Sequence, residues 1–79
     1  MNVYSFDVNK SIDFDYVYQR FLELTTDFPE DEKIDMYWNG EKLYVYSEIE
    51  FSDTYKANMQ QAINEAPEIA LEEDNIDFL

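Results

Sequence analysis

Asn39-Gly40 contains the only glycine of the 79-residue chain and lies between two runs in which apolar and polar residues alternate. Asn and Gly are the residues that best tolerate the positive φ angles of a tight hairpin turn. The dipeptide therefore predicts a two-residue type I′ turn joining a strand that ends at Trp38 to one that starts at Glu41. Such a turn would set the register: Met36 opposite Leu43, Ile34 opposite Val45, Asp35 opposite Tyr44 and Tyr37 opposite Lys42. Because successive side chains point to opposite faces of a strand, the inner face reads Ile34, Met36, Trp38, Leu43, Val45 and Ile49. The outer face reads Asp35, Tyr37, Tyr44, Tyr46, Glu48 and Glu50.

The segments around this hairpin have equally distinct periods. Residues 2–8 alternate, with Tyr4, Phe6 and Val8 on one side and Val3, Ser5 and Asp7 on the other, which predicts a first strand. Ser11 is an expected helix N-cap, with Asp13 and Asp15 in the positive first turn. Phe14, Val17, Tyr18, Phe21, Leu24 and Phe28 then recur at helical spacing up to Pro29, and Glu30-Asp31-Glu32 form an acidic loop. Ser52 is expected to cap a second helix whose apolar stripe is Tyr55, Met59, Ala62, Ile63 and Ala66, and which Pro67 ends. Residues 68–79 read as a fourth strand, a short helix or an acidic tail. The chain shows no internal repeat and no linker, so it is expected to form one domain of the α+β class. Its order of strand, helix, strand, strand, helix and optional strand resembles the ferredoxin-like split β-α-β arrangement, which implies two helices on one face of a sheet.

Composition decides whether such a chain folds and what chemistry it can support. Nineteen Asp and Glu against five Lys and Arg leave a net charge of −14, which is half of the signature of disorder. The other half is missing, because 46% of residues are hydrophobic and 18% are aromatic. With no Cys and no His, the chain cannot form a disulfide framework, a Cys/His zinc site, a Ser-His-Asp triad or a Cys nucleophile. One glycine excludes a phosphate-cradling loop and the glycine that a helix-loop-helix calcium site requires. A paired-carboxylate active site needs a shielded cleft that a domain of this size has little volume to build. The expectation is a non-enzyme with no cofactor and no dedicated metal site. The amino terminus lacks the basic and apolar regions of a secretory signal, and no apolar run approaches the ~20 residues of a membrane span. These features predict a cytoplasmic protein with no membrane partner, in the host cell if the chain is phage-encoded.

What remains is binding. Tyrosines on an open sheet face are also the setting for base stacking in single-stranded RNA recognition, but nucleic-acid affinity comes mainly from Lys and Arg neutralising phosphates. A face carrying Asp7, Asp35, Glu48 and Glu50 would repel that backbone, so no direct nucleic-acid binding is expected. Tyrosine beside carboxylate suits Arg instead, through stacking, cation–π contact and bidentate hydrogen bonds. The plainer reading is that tyrosine is simply a good strand former on a wet face.

Duplex DNA carries one charge per about 1.7 Å of axis, so fourteen excess charges equal about 24 Å of duplex, or about seven base pairs. In size and acidity the chain is similar to the small phage and mobile-element inhibitors that mimic nucleic acid, including anti-restriction, anti-CRISPR and uracil-DNA glycosylase inhibitor proteins. That resemblance is one of overall character and assigns no residue. It implies a non-enzymatic inhibitor that blocks the basic groove of a DNA- or RNA-handling protein. On this reading Asp7, Asp35, Tyr37, Tyr44, Tyr46, Glu48 and Glu50 make the partner contacts. Glu30, Asp31 and Glu32, together with Glu72, Glu73, Asp74 and Asp77, steer encounter at longer range. The alternatives are an antitoxin or immunity protein that neutralises one basic toxin, and an acidic adaptor or structural domain, including a homodimer through an exposed sheet edge. Acidity that serves solubility alone is the plainest of all.

Overall fold

The computed structural model describes residues 1–69. Five elements follow in order: β1 (Asn2–Asp7), α1 (Phe14–Leu24), β2 (Ile34–Trp38), β3 (Lys42–Ser47) and α2 (Asp53–Glu65). The strands form an antiparallel sheet of order β1-β3-β2, and the fold is α+β. Order and directions are those of the split β-α-β arrangement for its first three strands. The fourth strand, helix or tail expected over residues 68–79 lies, from residue 70 onward, outside the described residues.

Each strand buries one side chain in two, as the alternation requires. Tyr4 and Phe6, Ile34, Met36 and Trp38, and Leu43 and Val45 turn inward. They meet Val17 and Phe21 of α1 and Met59, Ala62 and Ile63 of α2 in one cluster, so both helices cover the same sheet face. Phe21 is fully buried and anchors an aromatic group, stacked on Phe51 with ring centroids 5.4 Å apart and edge-on to Phe28 at the same distance. Burying rings of this size supplies several kcal/mol in a core this small, about 25 cal/mol per Å² of apolar surface. Polar atoms follow suit. The Asn58 side chain donates to the Thr25 hydroxyl at 3.0 Å and to the Leu24 carbonyl at 3.3 Å, so α2 satisfies the C-terminal end of α1.

Three local features depart from expectation. The hairpin is paired two positions away in register: Met36 faces Val45, Ile34 faces Ser47, Asp35 faces Tyr46, Tyr37 faces Tyr44, and Trp38 faces Leu43. The turn is centred on Gly40 and Glu41, with only Gly40 at positive φ (98°), so it is not the expected type I′ turn, which needs positive φ at both central residues. Asn39 keeps a negative φ because its carboxamide oxygen accepts from the N–H groups of Glu41 (2.9 Å) and Lys42 (2.8 Å). The helix N-cap is Asp13, not Ser11; its carboxylate accepts from the Tyr16 N–H at 3.1 Å. The Ser11 carbonyl instead accepts from the Ile69 N–H at 2.8 Å, beside the bridge between Ile12 and Glu68. Finally, α1 stops at Leu24 and Phe28 enters the core from the following turn, its N–H bonded to the Thr25 carbonyl at 3.0 Å. Thr25, Thr26 and Asp27 are weak helix formers, and the residue before Pro29 is pushed out of helical geometry. Ser52 caps α2 as expected, accepting from the Tyr55 N–H at 3.2 Å.

Candidate protein-interaction surface

With both helices on the inner face, the opposite face of the described sheet is open. Val3, Ser5 and Asp7 come from β1, Asp35 and Tyr37 from β2, and Tyr44 and Tyr46 from β3 between them. The register makes three rows: Val3-Tyr46-Asp35, Ser5-Tyr44-Tyr37 and Asp7-Lys42. Tyr37 and Tyr44 stack with centroids 6.5 Å apart and planes 23° from parallel, so the corrected register is what joins the tyrosines into a platform. Tyr37 is 59% exposed and Val3 53%.

Charge is distributed unevenly around the platform. At the hairpin end, Lys42 pairs with Asp7 across β1 and β3, and that row is locally neutral. At the other end, the loop entering β2 brings Glu30, Asp31 and Glu32, β2 contributes Asp35, and the chain leaving β3 brings Glu48 and Glu50. Five of these six residues are exposed and Glu32 is half-buried. The expected partner contacts therefore separate into an aromatic face and an acidic end, and Asp7 belongs to neither. Among the described residues no three carboxylates approach closely enough to hold a metal ion. The expected steering residues Glu72, Glu73, Asp74 and Asp77 lie outside the described residues.

Lys33, exposed between Glu32 and Ile34, is the one Lys or Arg in the segments that make up this end, and three other cations are paired with carboxylates outside those segments. Lys10 lies 3.8 Å from Glu68, and Arg20 bridges Glu23 (3.2 Å) and Glu65 (2.8 Å) between the two helices. Lys56 lies over the Tyr4 ring, 5.5 Å from its centroid. The hydrogen bonds that Arg20 donates to Glu65 and then to Glu23 raise its pKa, and the Arg20 contact, followed by the Gln61 amide, holds the Glu65 carboxyl below its ordinary value. The Lys42 ammonium is pushed up by its hydrogen bond to Asp7. Burial, and after it the Asp27 carboxylate, raises the Tyr55 phenol. Pairs this exposed contribute little stability in water, and their effect is to remove positive charge from the surface field. Neither Arg20–Glu65 nor Lys42–Asp7 is signalled by spacing, since the partners are 45 and 35 residues apart.

Fold and surface together define a small α+β domain with an open aromatic sheet face and an acidic end. Comparison with protein-family models, with curated proteins and with solved structures finds no match. No helix among the described residues is long and apolar enough to cross a membrane.

Proposed function

We propose that this protein is a non-enzymatic inhibitor that occupies the basic, phosphate-binding groove of a DNA- or RNA-handling protein. The observation that carries the reading is the gathering of Glu30, Asp31, Glu32, Asp35, Glu48 and Glu50 at one end of the sheet, six carboxylates against the single cation Lys33 there, while Lys10, Arg20 and Lys42 are paired with carboxylates elsewhere. Carboxylates held on strands and tight loops substitute for phosphates without being ordered at the moment of binding, which lowers the entropic cost of association. The Tyr37–Tyr44 platform adds apolar and π surface for Arg side chains, which a phosphate backbone lacks. Steering belongs to the acidic end and adhesion to the tyrosines.

That division is testable on the partner captured from the native host. Glu30→Lys with Asp31→Lys should slow association by roughly tenfold at low salt and flatten its salt dependence. Tyr44→Ala with Tyr46→Ala should leave association nearly unchanged and shorten complex lifetime by more than about tenfold. Equal effects of both pairs on dissociation alone would contradict the reading.

A further inference from the structure

The sheet edge formed by β2 carries a second surface, distinct from the tyrosine face. β2 is the last strand in the order β1-β3-β2. The Asn39 N–H bonds the Lys42 carbonyl at 3.1 Å, and hydrogen-bonded pairs alternate along an antiparallel ladder. Tyr37 and Asp35 therefore turn their backbone groups toward β3, whereas Ile34, Met36 and Trp38 turn theirs to the free edge. Among the described residues no strand pairs with that edge. Directly beside it runs a groove under α1. One depression of about 300 Å³ is lined by Phe14, Tyr18, Ile34 and Met36, with Asp15 and Asp35 on its rim. A second depression, of about 290 Å³, also borders Tyr18 and is lined by Leu22, Phe28, Glu30 and Glu32 among others.

We infer that this edge and groove take up an extended segment of a basic partner protein, added to the sheet as a strand beside β2. Two features choose the occupant. The N–H and C=O groups of this edge, which no described residue pairs, call for another strand, and the apolar floor with an acidic rim calls for alternation of apolar residues and Lys or Arg. Apolar side chains of the added strand turn inward onto Phe14 and Tyr18, and basic ones turn outward beside Asp35 and Tyr37. A second copy of this chain is the poorer occupant, because edge-to-edge pairing would bring Asp15 and Asp35 of two domains, each at net charge −14, against like charge. The inference rests on the partner being basic, but not on its groove binding nucleic acid.

The test uses labelled eight-residue peptides and the whole protein, with no nucleic acid present, so that it fails or succeeds independently of phosphate mimicry. One peptide alternates Val and Lys, a second has the same composition in two blocks, and two more are the alternating peptide N-methylated at every second residue in either phase. The alternating peptide should bind, with amide chemical-shift changes along Ile34–Trp38 and the Phe14–Leu22 side of α1. The blocked peptide and one N-methylated phase should bind roughly tenfold more weakly or worse, since each lost backbone hydrogen bond leaves a partner unsatisfied. The other phase should bind like the parent. No binding, equal loss in both phases, shift changes confined to Tyr44 and Tyr46, or sedimentation as a dimer paired through β2 would overturn the inference.

Discussion

The indole N–H of Trp38 donates to the carbonyl oxygen of Val8 at 2.7 Å. The last residue of one edge strand is thereby tied to the residue that follows the other, beneath the central strand β3. The ring also packs against Phe14 at the start of α1, centroids 5.6 Å apart, so one side chain fixes the hairpin end of the sheet and the entry to the first helix.

Trp38→Phe keeps most of the ring and removes the donor, leaving a part-buried carbonyl without its partner. A loss of about 1–3 kcal/mol in unfolding free energy is expected. Urea denaturation followed by far-ultraviolet circular dichroism measures it without relying on the chain's single tryptophan.

At the turn, a Cβ built on Gly40 meets nothing within 4 Å. Any cost of substitution therefore comes from the positive φ and not from crowding. Gly40→Ala should lose about 1–3 kcal/mol, most of what Gly40→Val loses, while D-alanine placed there by chemical synthesis should be tolerated. If Val is much worse than Ala, the strain account of the turn fails.

The Arg20–Glu65 contact gives a pH signature. The folded carboxyl titrates below its ordinary value of 4.5 because of Arg20. For a lowered pKa the stabilisation is fully present above the unfolded value and is lost as pH falls through the folded one. The difference in urea midpoint between the native chain and Glu65→Gln should be constant from pH 7 to about 5.5 and shrink below about 4. A difference that grows on acidification would contradict the assignment.

Repulsion within the acidic end should also weaken the fold at low ionic strength. Salt at 0.15 M screens exposed charges beyond about 8 Å. The Tm should therefore rise between about 0.01 and 0.3 M sodium chloride, and Glu30→Lys with Asp31→Lys should raise it at the low end and flatten the rise. A flat native curve would mean that local pairing already offsets the repulsion.

The faces of the hairpin are legible in the sequence because alternation has period two, and the displacement from a turn at Asn39-Gly40 to one at Gly40-Glu41 changes the pairing by an even number. Ile34, Met36, Leu43 and Val45 stay inside in either register. For the same reason, matching apolar with apolar residues cannot choose between the registers, and the Asn39 side chain decides the matter by bonding two backbone N–H groups. Phe28 keeps the phase of the helix stripe although the helix has ended, since a turn delivers its ring to the same aromatic group. At the surface, acidic runs such as Glu30-Asp31-Glu32 are visible by inspection. The neutral row at Asp7 and Lys42 and the groove between α1 and β2 are not, because both arise from residues that only tertiary packing brings together.

Displacement tests phosphate mimicry most directly. With the partner captured from the native host and held in complex with this protein, duplex DNA or RNA titrated at constant ionic strength should release the protein stoichiometrically. At no point should a species containing all three components appear in analytical ultracentrifugation. A stable ternary complex, with the partner's main groove filled by intact nucleic acid and the acidic domain still bound, would contradict the account.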